Sequence, residues 1–434
     1  MRRLTVSPAL PPQPPLQTDS PLPSPQALTG LRVLDLSRIL AGPSATQLLA
    51  DLGAEVIKIE RPGVGDDTRG WGPPFVQDAQ GQESRESAYY LSANRGKHSV
   101  AVNIADPRGQ AIVRQIAATA DILVENFKPG DLARYGLDYA TLGALNPRLI
   151  YCSITGFGQT GPNAGRAGYD FLVQGEGGLM SLTGDASGQP MKAGVGVADL
   201  MCGMYAAVGI LAAVQARHGT GAGQHIDIAL MDAQVAMLVN QGVAYLTDGQ
   251  VPPRRGNDHP TIVPYGTFPA SDGTFILAIG NDAQFARFVA LAGAPGLAVD
   301  ARFATNVARV RNRAVLIPLI GALTAGKAAA VWLTDCAAAN IPAGPVNDLA
   351  QVFASPQVAA RGMTVRMAHP TAAAGHVDLI GNPLKLSQTP VTYAKAPPLQ
   401  GADTGAVLTR ALGLDADTLA ALAQAGVIEG NLTP

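Results

Sequence analysis

The chain has 434 residues, which exceeds one ordinary hydrophobic core and predicts two domains. Apolar residues make up 47% and charged residues 15%, a balance that excludes a disordered chain and is typical of a globular enzyme. The formal net charge of −2 provides no polybasic surface, so no nucleic-acid partner is expected. The most apolar stretch, residues 195–214, contains Asp199 and predicts a buried helix rather than a membrane span.

Cysteine and histidine usage argues against several kinds of site. Cys152, Cys202 and Cys336 are too few and too scattered for a disulfide framework or a zinc site, and the first two are expected to be small core residues. The six histidines have no HxxxH or HExxH spacing, so we expect neither a bound metal nor a tightly bound cofactor. This pattern indicates a reducing compartment, and we expect a cytoplasmic protein.

Residues 1–28 are rich in proline and lack the apolar core of a signal peptide, so they predict a flexible extension. Strand and helix patterns alternate after it. A strand at 31–36, a helix ending near Leu52 and a strand at 55–60 form a βαβ unit, and the pattern recurs. Further strands at 99–104, 121–125 and 149–154 predict a doubly wound α/β domain over residues 29–248.

A second, smaller α+β domain is predicted over residues 249–340, because a proline-rich break at 252–260 precedes short strands and helices. Residues 341–434 begin with an extended connector and are predicted to return to the large domain.

Ligands of parallel sheets bind outside the carboxyl ends of the strands. None of those ends carries a GxGxxG fingerprint, which disfavours NAD; Gly219–Gly223 follows a helix, so we interpret it as a helix stop, with a phosphate loop as the alternative. Polar and aromatic residues near the strand ends would suit a nucleotide with several phosphates, although a solvated surface is the alternative. They are Arg61, Arg69, Arg95, Lys97, Asn126, Phe127, Lys128 and Arg134.

The stretch Gly168–Gly178 (GYDFLVQGEGG) places an acidic residue, Asp170, in an apolar run with glycines on its far side. Burying such a carboxylate costs several kcal/mol unless it is compensated. One explanation is a helix N-cap, which stabilises by about 1 kcal/mol. The other is chemistry, and the stretch itself leaves both open.

Taken together, the motifs resemble the class III coenzyme A transferases (CaiB/BaiF type), the family of formyl-CoA transferase. The resemblance spans about 400 residues and covers all but the proline-rich start. Its matching segments are LRVLDLSRILAGP (31–43), GAEVIKIERPGVGD (53–66), NRGK (94–97), DILVENFKPG (121–130), GFGQTGP (156–162), GYDFLVQGEGG (168–178), GTGAGQ (219–224) and IPAGPV (341–346).

The resemblance implies a Rossmann-like large domain, a small domain and a homodimer of two interlocked subunits. It also implies that Asp170 is the nucleophile and that acyl-CoA esters and carboxylic acids are the substrates. The positions that match the family's CoA contacts are Arg61, Lys97, Asn126, Phe127 and Arg134.

A carboxylate suits acyl transfer because it is ionised at neutral pH without an activating base. Attack on an acyl-CoA thioester gives an aspartyl anhydride, and the released thiolate then gives an aspartyl-CoA thioester. Backbone N–H groups beside Gly175, Gly177 and Gly178 are expected to stabilise the tetrahedral oxyanions.

Two other functions remain as alternatives. The related 2-methylacyl-CoA racemases use a His before the equivalent Asp, together with a second acid; here Tyr169 precedes Asp170, and Asp199 fills the second position. A non-catalytic CoA-ester-binding protein on the same fold is the other alternative, against which the intact Asp170 argues.

Departures from formyl-CoA transferase bear on the acceptor acid. Arg255–Pro260 replaces that enzyme's glycine run and Leu40 replaces a Gln, so oxalate is not expected. Gly256–Gly266 and Gly280–Phe285 look more like members that act on succinyl-CoA and dicarboxylates. Three nearby side chains are candidates to pair with a distal carboxylate, and exposed loop charges are the alternative for the two arginines. These are Arg254, Arg255 and His259.

Overall fold

The computed structural model describes residues 26–434. Most of the predicted extension, residues 1–25, therefore lies outside the described residues. Its last residues do not form a loose extension, because Leu28 is buried in the core and its backbone N–H donates to the Leu52 carbonyl at 2.9 Å. The prediction of a flexible segment through residue 28 is wrong at this end.

The strands of the described residues follow in chain order: β1 (Arg32–Asp35), β2 (Glu55–Glu60), β3 (Phe75–Gln77), β4 (Glu83–Ser87), β5 (Lys97–Val102), β6 (Ile122–Glu125), β7 (Ile150–Thr155), β8 (His225–Ala229), β9 (Tyr265–Ala270), β10 (Gly273–Ala278), β11 (Ala343–Pro345), β12 (Thr364–Ala368), β13 (His376–Ile380) and β14 (Ile428–Glu429).

The α-helices of the same residues are α1 (Ala41–Asp51), α2 (Ala88–Ser92), α3 (Pro107–Ala117), α4 (Tyr139–Leu145), α5 (Asp170–Glu176), α6 (Leu179–Leu182), α7 (Val197–Thr220), α8 (Leu230–Ala236), α9 (Val239–Asp248), α10 (Asp282–Leu291), α11 (Asn306–Arg311), α12 (Arg313–Thr324), α13 (Ala329–Ala338), α14 (Leu349–Phe353), α15 (Pro356–Ala360), α16 (Thr404–Leu412) and α17 (Ala416–Gln424).

The protein is a mixed α/β structure with a mainly parallel seven-stranded sheet in the larger of two compact units. The strand order is β14-β5-β2-β1-β6-β7-β8, and only the edge strand β14 runs antiparallel to its neighbour. The five strands predicted in the first half are confirmed as β1, β2, β5, β6 and β7. They read as buried apolar runs because helices cover both faces of the sheet.

Each face of the sheet has its own hydrophobic core. On one face, α1 and α7 pack on alternate strand residues such as Val33, Val56 and Cys152. On the other, α3, α16 and α17 pack on residues such as Leu34 and Ile57. Strands β2 and β6 lie on opposite sides of β1, so the connections on the two sides of β1 lead away from it in opposite directions. In such a sheet a crevice opens at the carboxyl end of the central strand, here β1.

Helix α7 is the longest helix of the described residues and is long and apolar enough, by length and composition alone, to cross a membrane. It packs instead as a core helix against α1, β7 and β8, with Cys202, Ala206 and Ile210 fully buried. Gly221 ends it in the left-handed conformation (φ 73°), so Gly219–Gly223 is a helix stop and connector, as predicted.

The smaller unit comprises Leu179–Lys192 and Val243–Ser355, and it differs from the predicted span of 249–340 at both ends. Its antiparallel sheet has the order β11-β10-β9, so Ala343–Pro345 pairs with β10 and does not start the return segment. At the other end, the Arg254 guanidinium donates to the carbonyls of Asp185 and Gly188, which ties the 179–192 segment to this unit. Both differences arise from long-range hydrogen bonds.

Candidate active site

Two clefts open in the larger unit at the carboxyl ends of its parallel strands. The first cleft, about 380 Å³, is formed by segments that follow β1, β6 and β7, and its lining includes Arg38, Ile39, Leu40, Asn126, Phe127, Lys128, Asp131, Thr155, Gly156, Arg166, Tyr169 and Asp199. The second cleft, about 310 Å³, lies beyond the ends of β2 and β5, and its lining includes Arg38, Glu60, Arg61, Asn103, Phe127, Arg134 and Tyr135. Arg38 and Phe127 line both.

Asp170 is the first residue of α5, directly after Tyr169 in the lining of the first cleft. Its Oδ1 accepts hydrogen bonds from the backbone N–H groups of Ala198 (2.8 Å) and Asp199 (3.3 Å), which are the second and third residues of α7. The N-cap of α7 is Gly196, which has no capping side chain. Asp170 is therefore a helix cap, but it caps α7 rather than the helix it begins.

Gln174 holds the other carboxylate oxygen. Its Nε2 donates to Asp170 Oδ2 at 2.6 Å, and its Oε1 accepts from the backbone N–H of Ala193 at 2.8 Å. Gln174 is completely buried, so this amide keeps a single orientation. Sequence reasoning missed it, although a Gln four residues after an Asp lies on the same face of a helix.

A glycine pair places the Asp170 loop against β7. A Cβ on Gly156 would lie 2.5 Å from the Gly168 Cα, and a Cβ on Gly168 would lie 2.3 Å from the Gly156 Cα. The two backbones can approach this closely only because neither residue has a side chain. The glycine of the GFG segment thus sets the position of the Gly-Tyr-Asp segment.

The loop after β1 is held in a strained conformation at the mouth of the first cleft. Ile39 has φ 74°, which is costly for a β-branched residue, and its N–H donates to Asp66 Oδ1 at 3.3 Å. Lys58 bonds both Asp66 Oδ2 (2.9 Å) and the Ser37 carbonyl (2.8 Å). Burial alone would raise the pKa of Asp66, but the Lys58 charge and hydrogen bonds from Thr68 lower it to about 2.

Comparison with known proteins identifies the family. The model of CoA-transferase family III matches residues 28–404. This chain belongs to CoA-transferase family III. It is 49% identical to a succinate–glutarate CoA-transferase of Agrobacterium fabrum over 90% of this chain and 97% of that protein. It is 44% identical to a succinyl-CoA:glutarate CoA-transferase of Mus musculus over 94% and 91%. A crystal structure of a CaiB/BaiF family protein from Brucella suis is 46% identical, with a TM-score of 0.78 over 89% of this chain and 99% of that chain.

Four of the five predicted CoA-contact residues of this CoA-transferase line the clefts. Arg61, Phe127 and Arg134 line the second cleft, and Asn126 lines the first. Asn126 has a structural task there, because its amide group bonds both the N–H (2.9 Å) and the carbonyl (2.7 Å) of Arg38 and so joins the loops after β1 and β6. The structure thus places these four residues in the linings of two clefts that share Arg38 and Phe127.

The fifth, Lys97, does not line either cleft. It is completely buried, and its Nζ bonds Asp35 (3.1 Å), the Pro43 carbonyl (3.0 Å) and Asn94 (3.0 Å). Burial outweighs the attraction of Asp35 and lowers the pKa of Lys97 to about 8. Its placement does not support a CoA contact. The NRGK motif predicts a lysine at this position but not whether its side chain points to a cleft or into the core.

Two cations that line the first cleft were not among the predicted contacts. The Arg38 guanidinium lies 5.4 Å from the centre of the Phe127 ring and bonds Asp67 at 2.7 Å. Arg166 lies 4.6 Å from the Phe157 ring and pairs with Glu176 at 2.6 Å. Arg38 lies in the loop that follows β1, three residues after the strand ends at Asp35, so the rule that ligands bind at strand ends would have found it.

Asp199 brings a second carboxyl group to the first cleft. Burial raises its pKa, and the negative charge of Asp170 raises it further, to about 7. No salt bridge reaches Asp199 within residues 26–434. At neutral pH its side chain therefore exists in both the acid and the carboxylate form.

The glycine cluster after Asp170 does not face the carboxylate. Gly175 lies inside α5, Gly177 ends the helix and packs against Gln234, and Gly178 has φ 87°. At about 1.5 Å of rise per residue, Gly175 lies about 7 Å and Gly177 about 10 Å along the helix axis from Asp170. Their placement does not support the predicted oxyanion contacts.

The candidate acceptor residues belong to the smaller unit. Arg254 is engaged by backbone carbonyls, as described above. The side chain of His259 accepts from the Thr261 N–H at 3.2 Å, and burial and the Arg313 charge lower its pKa. The charges of Arg255 and Arg313 both act on Asp258, whose pKa burial nevertheless raises.

Replacing Gly168 with Ala tests whether the glycine pair positions Asp170. We expect kcat for CoA transfer to fall by about 100-fold, because a shift of about 1 Å at the reacting group has that effect. Gly165→Ala is the matched control in the same loop, since a Cβ there meets no atom within 4 Å. Steady-state rates and thermal melting of both variants make the comparison. Unchanged kcat in Gly168→Ala would show that activity does not depend on how this contact positions the Asp170 carboxylate.

Proposed function

We propose that this CoA-transferase moves CoA from succinyl-CoA to a dicarboxylic acid, with glutarate as the first acceptor to test. Relatives 42–49% identical to it are named for succinyl-CoA or succinate and glutarate. The observation that carries the chemistry is the Asp170 carboxylate, held by three hydrogen bonds next to a cleft of suitable size.

In the proposed mechanism, Asp170 attacks the thioester carbonyl of succinyl-CoA and displaces the CoA thiolate, which forms an aspartyl–succinyl anhydride. The thiolate attacks the aspartyl carbonyl of this anhydride, so that succinate leaves and an aspartyl-CoA thioester remains. The acceptor carboxylate reverses the two steps. The hydrogen bonds from α7 and Gln174 hold the Asp170 carboxylate in one orientation beside the first cleft.

The two clefts suggest how the CoA ester is placed. Arg61 and Arg134 supply cations to the second cleft, where phosphate groups would bind. Phe127 belongs to both clefts, so we propose that the chain of CoA passes this ring on its way to the first cleft. Arg134 already pairs with Asp131 at 3.4 Å and is 61% exposed, so it is free to reorient toward a phosphate.

The racemase alternative is disfavoured at one residue. Proton transfer at carbon needs a second titrating group beside Asp199, and Tyr169 occupies the position where the racemases have a His. The Tyr169 side chain is 60% exposed in this structure. The non-catalytic alternative leaves the supported Asp170 carboxylate unexplained.

We also propose the finer features of fold and assembly that the family resemblance implies. The parallel strands β5-β2-β1-β6-β7-β8 have the order of a doubly wound, Rossmann-like sheet. An apolar stripe on α7 supports an interlocked homodimer: Leu200, Met204 and Val208 are 39%, 48% and 59% exposed and recur every four residues. Location in the cytoplasm remains a proposal from cysteine use.

Removing the Asp170 carboxylate tests the nucleophile. We expect Asp170→Ala to lower kcat by more than about 1,000-fold while CoA still binds, because no other group takes over the covalent step. Asp415→Ala is the matched control: Asp415 caps α17 by accepting from the Thr418 N–H at 2.9 Å, so both variants lose a helix cap of about 1 kcal/mol. Turnover by Asp170→Ala at the control's rate would refute the mechanism.

Heavy-oxygen labelling tests the anhydride. When labelled glutarate and succinyl-CoA turn over, the bridging oxygen of the second anhydride stays with the enzyme, so the Asp170 peptide gains label and glutaryl-CoA appears in the mass spectrum. An acceptor panel of mono- and dicarboxylic acids accompanies the experiment. If no acid in the panel receives CoA, the proposed function is wrong, and exchange of the α-proton of a 2-methylacyl-CoA would favour the racemase.

A charge on the α7 stripe tests the homodimer. Met204→Glu places a carboxylate in the proposed apolar contact, and we expect light scattering after size exclusion to give the mass of one chain instead of two. Gln215→Glu is the control, since it adds a charge at an exposed polar position of the same helix. A dimer of unchanged stability in Met204→Glu would contradict this use of the stripe.

A further inference from the structure

Asp199 is a carboxyl group for which the transfer mechanism has so far no use. It is the third residue of α7, its side chain lines the first cleft, and its backbone N–H points to Asp170 Oδ1. The nucleophile and a second acid thus lie side by side at one helix N-terminus. If Asp199 were also a carboxylate, the two negative charges would repel each other. This repulsion favours the acid form of Asp199.

The surroundings of Asp199 favour the neutral acid. The titratable groups that interact electrostatically with it are the Asp170 carboxylate on α5, the Tyr89 phenol on α2 and the Cys202 thiol one turn along α7. Tyr89 stays protonated, because burial and the charges of Asp199, Asp170 and Asp66 raise its pKa to about 12. The cations of the cleft are Arg38, Lys128 and Arg166, and no salt bridge joins any of them to Asp199 in the described part of the chain.

The reaction needs a hydrogen-bond donor at this place. When Asp170 attacks a thioester, the carbonyl oxygen acquires a negative charge that fixed donors must stabilise. The N–H groups of Ala198 and Asp199 are already occupied by Asp170 itself, and the glycines after α5 lie at its far end. The protonated Tyr89 phenol is also a donor, but Tyr89 is not among the residues that line the first cleft. A carboxylic acid O–H beside the nucleophile fills this gap, because it donates where a carboxylate can only accept.

We propose that the Asp199 side chain, in its acid form, donates a hydrogen bond to the carbonyl oxygen of the acyl group that Asp170 attacks. In this step the Asp170 oxygen–carbon bond forms, and the π electron pair moves to the carbonyl oxygen, which accepts from Asp199. Collapse restores the carbonyl, breaks the carbon–sulfur bond and releases the thiolate. The proton stays on Asp199, so no acid or base is consumed. This inference rests on the proposed function.

The pH dependence of transfer provides the test. Because the pKa of Asp199 is raised to about 7, the donor is present below that pH and is lost as the pH rises through it. We expect wild-type kcat to fall by up to about tenfold per pH unit above the pKa until a residual rate is reached. Asp199→Asn keeps a donor that does not titrate, so its kcat for succinyl-CoA and glutarate should be level over the same range.

Two further variants separate this role from a structural one. Asp199→Ala should lower kcat by about 100-fold near pH 6 with little change in KM, the usual loss for one oxyanion donor. Asp232→Asn, at an exposed carboxyl group in the first turn of α8, should keep the wild-type profile. Melting temperatures and label entry into Asp170 establish that each variant is folded and reaches the anhydride.

An alkaline decline that persists unchanged in Asp199→Asn would overturn the proposal, as would full kcat in Asp199→Ala. These outcomes differ from failure of the proposed function, in which the wild-type enzyme itself would transfer CoA to no acceptor. The proposed hydrogen bond is supported if kcat of Asp199→Asn does not change with pH and kcat of Asp199→Ala is reduced.

Discussion

The site depends on one interaction, the hydrogen bonds from the start of α7 to the Asp170 carboxylate. An isolated carboxylate next to a partly apolar cleft would be costly, and here two backbone N–H groups and the partial positive charge of a 24-residue helix compensate it. The helix is in turn fixed by its packing on β7, β8 and α1. The group that caps the helix is therefore also the proposed nucleophile, and neither can move without the other.

Buried ion pairs hold the loop after β1, whose residues Arg38, Ile39 and Leu40 line the first cleft. Lys58–Asp66 and Lys97–Asp35 are completely buried, and such pairs contribute little net stability because desolvation offsets their attraction. Each ammonium group also bonds a backbone carbonyl at one end of the loop after β1: Lys58 bonds Ser37 in the loop, and Lys97 bonds Pro43 in the first turn of α1. Their effect is geometric: they hold a loop in which Ile39 has a strained φ of 74°, at a cost of about 1–3 kcal/mol.

Local patterns in the sequence were sufficient to predict the central strands, the helix stop at Gly221 and a capping role for Asp170. They were insufficient wherever the deciding partner is distant in the chain. The cap at Asp170 serves a helix 28 positions later, Lys97 turns inward to Asp35 instead of outward to a ligand, and β11 pairs with β10 across the predicted domain boundary. Local sequence preferences do not predict such contacts. Asp170 could equally cap its own helix, Lys97 could equally point to solvent, and residues 343–345 could equally be an unpaired connector.

The residue before Asp170 affects which chemistry this pair of carboxyl groups can support. Asp170 and Asp199 are 29 residues apart, yet the helix start brings them together, and the charge of the first raises the pKa of the second. A titrating base before Asp170 would turn this pair toward proton transfer, since an acid and a base would then flank the substrate. With Tyr169 in that position the pair lacks such a base, which leaves the proposed nucleophile supported by α7 and, beside it, a carboxyl group that can donate a hydrogen bond in its acid form.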